Sequence, residues 1–232
     1  DPGRQSECDR ILGEIKTLCD IARPQIGVVT NVAPIHLERL GTLDRIAQAK
    51  AELVQALPEG GAAVLNGDDP RVLGLASQTK ARTITFGLGE GNAVQARDVR
   101  SYGLQGVAWT AHIADRGLFP QAEGSYPLSL ATIGKQSIAA ALAAVAVGLA
   151  EGLEWPQVAR GLLAQGQGLR LVPKRGVGGA TLLDDSYNAG PASVLAALDL
   201  LSELSGRRLA ALGDMMELGS EEYQRHVEVG RR

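Results

Sequence analysis

Residues 26–57, IGVVTNVAPIHLERLGTLDRIAQAKAELVQAL, read as a strand, a polar loop and a long amphipathic helix. Ile26 to Val29 has the composition of a strand covered on both faces. The strand gives way to Thr30 and Asn31, and the loop that follows carries His36. Thr42 is a candidate N-cap, because a threonine oxygen can accept from the free amides of a helix's first turn. Leu43, Ile46, Ala47, Leu53, Val54 and Leu57 then recur at helical spacing, with Lys50 among them. A lysine on an apolar stripe more often snorkels out of the groove. The alternative is an amine held in a dry site, its pKa lowered by desolvation and its lone pair available for chemistry.

Working outward, Gly13 to Ala22 reads as a short helix ended by Pro24. Pro58 to Gly61 is a turn, Ala62 to Leu65 a second buried strand ending at Asn66, and Arg82 to Phe86 a third. Val94–Ile113 reads as two antiparallel strands, and Tyr126 to Ala131 as another. Ser137 to Ala150 is an alanine-rich helix, and Pro156 suits the first turn of a further one. The glycine-rich window 164–179 is the natural linker. Beyond it, Thr181–Asp185, a helix from Pro191 and a strand Leu209–Leu212 spell a βαβ unit with parallel strands. The strands at 26, 62, 181 and 209 each end in a polar residue: Asn31, Asn66, Asp185 and Asp214. Open parallel sheets bind ligands outside the carboxyl ends of their strands, although Asn and Asp also favour ordinary turns.

Composition narrows the function classes. A chain of 232 residues with 45% hydrophobic content has ample core for one large or two modest domains. A net charge of −3 gives no global pull toward nucleic acid or membrane, and 3% aromatics offer no stacking platform. The longest apolar run, 138–150, is too short to span a bilayer, and the first residues lack a signal-peptide pattern. Two cysteines, Cys8 and Cys19, fit a reducing cytoplasm. Both ends read as cut, since no methionine begins the chain and a helical pattern closes it. Several local motifs carry little. Gly87–Gly91 lacks dinucleotide-fingerprint spacing and reads as a loop, and Gly134-Lys135-Gln136-Ser137 is not a Walker A loop. Asp68-Asp69-Pro70 reads as a turn rather than a cation site, and His112 as a structural strand residue.

Five segments together resemble the Mur ligases: ARPQIGVVTNVAPIHLERLG, AQAKAEL, PEGGAAVLNGDDPRV, DDSYNAGPAS and ALGDMMELG. Within that family they look most like the branch that joins D-alanyl-D-alanine to a UDP-N-acetylmuramoyl-tripeptide. The resemblance covers roughly residues 13–230 in consistent order. It implies an α/β fold: a partial central ATP-binding domain over 1–167, followed by the start of a Rossmann-like domain over 168–232. It implies an ATP-dependent amide ligase of peptidoglycan precursor synthesis. The substrate carboxylate attacks the γ-phosphate of ATP, and an amine then displaces phosphate from the acyl phosphate. ATP and magnesium are the expected cofactors. The expected partners are the two small substrates, with no nucleic acid and no membrane, for a cytoplasmic monomer.

Residue by residue, the resemblance implies that His36 ligates magnesium. Lys50 becomes a carbamate that serves as a second magnesium ligand, so both belong to the catalytic centre. Asn31 lies at the nucleotide edge, Asp185 resembles the residue that bonds the ATP ribose, and Tyr187 and Asn188 share its loop. Arg170 matches an arginine at the hinge that reaches ATP. The departures are equally specific. The family's phosphate loop and UDP-binding domain have no counterpart in residues 1–232, and the metal-binding glutamate segment before Gly13 reads DPGRQSECDRIL. Three polar residues of the adenine-side motif are replaced around Gln136, Ser137 and Ala140. This chain alone is therefore expected to be inactive. Two other readings stay open: a folylpolyglutamate synthase-like ligase, and a non-catalytic nucleotide-binding remnant.

Overall fold

A computed structural model describes residues 12–34, 40–114, 117–164 and 170–232. Its main body is a six-stranded sheet in the order β1-β2-β3-β4-β5-β6. The strands are β1 (Ile26–Val29), β2 (Ala62–Asn66), β3 (Arg82–Gly87), β4 (Val94–Ser101), β5 (Val107–Ile113) and β6 (Gly124–Leu130). The first three pairings are parallel and the last two antiparallel. Parallel neighbours need crossovers, and helix α2 (Leu43–Gln55), after α1 (Glu14–Ala22), supplies the one between β1 and β2. Helix α3 (Pro70–Gly74) with a 3-10 turn supplies the next.

β2 shows how the sheet is covered. Its residues alternate between faces, as every strand must. Ala62 and Val64 join Ile84 and Phe86 in one core, against helix α4 (Ser137–Ala150). Ala63 and Leu65 join Val54, Ile46 and Val72 in a second core, under α2 and α3. Phe86, Val64 and Leu65 are wholly buried, and each such side chain stabilises the fold by about 1.5–3 kcal/mol relative to exposure. β1 differs from its expected burial on both faces. Among the described residues it lies at an edge of the sheet, and Val28 is 36% exposed. The fully covered strand is β2, one place further in.

The antiparallel pair expected over 94–113 is present as β4 and β5, with a register shift between Arg97 and Arg100. Helix α5 (Trp155–Leu163) begins with Pro156 in its first turn, and Tyr126 stacks on Trp155 at 4.3 Å. The glycine-rich window is not all linker, because it contains strand β7 (Val172–Arg175), paired antiparallel with β8 (Thr181–Asp184). The βαβ expectation is corrected here. Helix α6 (Pro191–Glu203) follows as expected, but residues 209–212 form no strand, and Leu209 and Leu212 are exposed. A four-residue apolar run acquires strand geometry only when a neighbouring strand takes its backbone groups, and no described strand lies beside it. The segment instead leads to Met215 and Leu218, which pack with Val194 and Val229 of helix α7 (Glu222–Arg231).

Candidate functional site

Because β1 and β2 run parallel with Val29 opposite Leu65, their carboxyl ends lie side by side. Thr30 and Asn31 therefore sit next to Asn66. The Asn66 side-chain amide donates to the Thr30 carbonyl at 2.8 Å. One residue further, Lys50 reaches from α2, and its Nζ donates to the Asn31 carbonyl at 2.6 Å and lies 3.5 Å from Asn31 Oδ1. One residue further again, the Val32 amide donates to Asp69 Oδ2 at 2.7 Å. Thr42 caps α2 through an oxygen that accepts from Arg45 N at 3.2 Å, which starts the helix at the phase that turns Lys50 toward this edge.

Lys50 is half-buried, on the helix whose Ile46, Ala49, Ala51 and Val54 are buried. Burial pushes its amine below the ordinary lysine range, and the nearby negative charge of Asp69 opposes that shift. Its amine is therefore held by a backbone acceptor on the protein and not turned wholly to water. An amine that loses its proton more readily is the form able to attack carbon dioxide or another electrophile. His36 lies outside the described residues.

A second cluster gathers the other candidates. Arg170 forms a two-pronged ion pair with Asp185: Nε donates to Oδ1 and Nη2 to Oδ2, the latter at 3.0 Å. The two residues expected to face a nucleotide are thus engaged with each other. Tyr187 is exposed, and Asn188 uses Oδ1 to accept from the Ala189 amide at 2.8 Å. Among the described residues, no hydrogen bond or ion pair joins this cluster to the one around Lys50. The regular polar edge expected from four strand ends is therefore halved. Asn31 and Asn66 share one edge, Asp185 follows a hairpin strand, and Asp214 follows no strand.

The minor motifs behave as loops. Asp68 accepts from the amides of Leu88 and Gly89 at 2.6 and 2.9 Å and from Asn92, so the glycine-rich turn wraps a carboxylate. His112 lies in β5 with Nδ1 3.0 Å from Ser125 Oγ. Lys135, beside the altered adenine-side motif, pairs with Glu203 at 3.1 Å, over a cavity of about 130 Å³ between α4 and α6. A larger hollow, lined by Cys19, Arg23, Gln25 and Pro58, lies at the amino ends of β1 and β2. It is on the wrong side of the sheet to be the strand-end site.

No group of three His, Cys, Asp or Glu side chains among the described residues is placed to hold a metal. An amine offers magnesium no oxygen, and both oxygens of Asp69 accept from backbone amides. The described residues fit that ion only if Lys50 gains oxygens, as in a carbamate. Two contacts were not foreseen from the sequence: that of Asn66, singled out only as a strand end, with Thr30, and that of Asp69, read only as part of a turn, with Val32. Asp-Pro was read as a turn, whereas Asp69 caps α3 and also holds Val32, 37 residues away.

Comparison with known proteins identifies the family. Residues 7–148 match the Mur ligase middle domain. A relative from Mycobacterium tuberculosis, named UDP-N-acetylmuramoyl-tripeptide–D-alanyl-D-alanine ligase, is 40% identical over 228 residues, covering 94% of this chain and 43% of the relative. A crystal structure of MurF from Acinetobacter baumannii is similar with a TM-score of 0.84 at 30% identity, over 94% of this chain and 46% of that one. A MurF ligase from Thermotoga maritima in complex with ADP matches with a TM-score of 0.81 at 26% identity, over 94% and 48%. The chain spans under half the length of these relatives. With the middle-domain match running over more than half of its residues, and with a matching overall fold, the chain belongs to the Mur ligase family.

Proposed function

We propose that this chain carries part of the nucleotide-handling and reacting centre of an ATP-dependent ligase that joins D-alanyl-D-alanine to a UDP-N-acetylmuramoyl-tripeptide. The observation that carries the reading is Lys50, held half-buried at a parallel strand edge with its amine on the Asn31 carbonyl. The ADP bound by the Thermotoga maritima relative supports a nucleotide at such a fold. The relatives' shared name favours the D-alanyl-D-alanine branch over a folylpolyglutamate synthase-like ligase.

In this reading the Lys50 ammonium loses a proton to solvent, its nitrogen forms a bond to the carbon of carbon dioxide as a C=O π pair moves to oxygen, and a second proton leaves the nitrogen to solvent to give the carbamate anion. The Asn31 carbonyl and the walls of α2 orient it. Lys50 as carbamate and His36 would hold magnesium, which supplies positive charge to stabilise phosphate oxygens. Asn31 lines the nucleotide edge. Asp185 exchanges Arg170 for a ribose hydroxyl, which frees the guanidinium for phosphate, and Tyr187 and Asn188 shape the same loop. The chain divides near 167–168 into a central unit and a C-terminal unit, and it works in the cytoplasm as a monomer. No helix among the described residues is long and apolar enough to cross a membrane.

The test is 13C NMR of the chain in 13C-bicarbonate with ADP and magnesium. A carbamate resonance should be present and should vanish in Lys50→Arg. Identical spectra for the two proteins would overturn the assignment of Lys50. Calorimetric titration with ADP should show weaker binding in Asp185→Ala, by about tenfold if one charge-assisted hydrogen bond of about 1.4 kcal/mol is lost.

A further inference from the structure

Three consecutive residues, Thr30, Asn31 and Val32, are gripped by three side chains from three places in the fold. Asn66 at the end of β2 holds the Thr30 carbonyl, Lys50 of α2 holds the Asn31 carbonyl, and Asp69 before α3 holds the Val32 amide. Asn66 and Lys50 donate, Asp69 alone accepts, and its 2.7 Å is a short contact of the stronger, charge-assisted kind. It is also more than a helix cap. Capping α3 needs one oxygen, and Oδ1 provides it to Arg71 N and Val72 N at 2.9 and 3.3 Å. Serine or asparagine would cap as well. The second oxygen is directed at a loop far away in sequence, and that loop carries the acceptor of the lysine amine.

We propose that Asp69 is a positioning residue for Lys50: one oxygen anchors it to α3, and the other fixes the Asn31–Val32 peptide that receives the Lys50 amine. The Asn31 carbonyl and the Val32 amide belong to one peptide plane, so fixing the N–H fixes the C=O. Without the clamp that plane is free to rotate about its flanking bonds. The amine then loses its acceptor on the protein and turns toward water. A reacting group needs placement to within about 0.5 Å, which a strand end supplies only when its last peptide is held. This inference rests on Lys50 being the reacting group, but its test does not.

The test uses Asp69→Asn in the 232-residue chain. Its amide oxygen still caps α3, while its NH2 cannot accept from Val32. Hydrogen exchange at the Val32 amide should accelerate at least tenfold. Pulse acetylation read by mass spectrometry should label Lys50 several-fold faster relative to Lys80, an internal control on another loop. Asp69→Ser, which retains only a cap oxygen, should behave in the same way. A residue that served the helix alone would lower the melting temperature of both variants without moving the Lys50 to Lys80 ratio. An unchanged ratio, or a Val32 amide that stays protected, overturns the proposal. If the ratio rises while no carbamate is detected in the wild-type chain, the positioning role stands and the chemistry assigned to Lys50 fails.

Discussion

At the residue scale, Lys50 shows how a sequence pattern becomes chemistry. Its place on an apolar helical stripe was legible, because a period of 3.6 puts it between Ile46 and Val54. Its acceptor was not, because Asn31 is brought to it by the pairing of β1 with β2 and the return of α2 across the sheet. The same holds for Asp69, whose cap is local and whose clamp is tertiary. A lysine held below its unfolded value makes the native state bind fewer protons than the unfolded chain, in the window between the two values. Stability from this source therefore rises with pH through that window, whose upper end is the ordinary lysine value of 10.5. Replacing Lys50 with Met should remove this contribution. Urea denaturation from neutral pH up to about 10.5 should show the difference, wild type minus variant, increasing with pH. A pH-independent difference would mean that the buried amine titrates like an exposed one.

At the element scale, the long helices were read nearly to the residue, the short α3 was read as a turn, and strands were read only where their neighbours lie in the same sheet. Ser137–Ala150 carries its own periodicity and its own backbone partners, so sequence alone suffices. A strand borrows its partners. That is why β2 and β3 stand as expected, whereas Thr181–Asp184 pairs with a stretch read as linker and Leu209–Leu212 pairs with nothing described. Lys174 donates to Asp184 at 2.5 Å across this hairpin. With help from Ser186, it holds the Asp184 carboxyl well below the usual carboxylate range. The irregular segment after α6 is fixed differently, by a ring. The Met215 amide donates to His226 Nε2 at 3.1 Å, so Nε2 is unprotonated and Nδ1 bears the hydrogen given to the Glu222 carbonyl at 2.9 Å. Replacing His226 with Phe leaves the Met215 amide without its acceptor at a site where Met215 is 2% exposed. A loss of about 1–3 kcal/mol is expected. Faster hydrogen exchange at Met215 should accompany it, and protection equal to wild type would show that the ring only packs.

At the scale of the whole molecule, one carboxylate ties the six-stranded sheet to α6. Glu203 accepts from Ser101 Oγ at 2.5 Å through Oε2 and pairs with Lys135 at 3.1 Å through Oε1, so β4 and the start of α4 share one anchor. Helix geometry alone argues against an acid here, since the carboxyl end of a helix carries partial negative charge. The contact therefore depends on its partners. Ser101 first, then Lys135, holds the Glu203 carboxyl below its usual range against the opposing effect of burial. The bridge is intact above the ordinary glutamate range and is lost as pH falls below that range, through the carboxyl's lowered value. Its side chains are exposed enough that its worth in stability is small, about 0–1 kcal/mol. Its consequence is geometric. Glu203→Ala should leave the melting temperature within a few degrees of wild type, while the radius of gyration from small-angle scattering increases. The Gly103 amide, which donates to Ser101 Oγ at 3.3 Å, should exchange faster. Glu203→Gln keeps an acceptor for Ser101 but loses the charge for Lys135, so it should fall between the two. If the radius and the Gly103 exchange are unchanged in both variants, the sheet and α6 are held by apolar contact, such as that of Leu204 against Gly103, and the carboxylate is incidental.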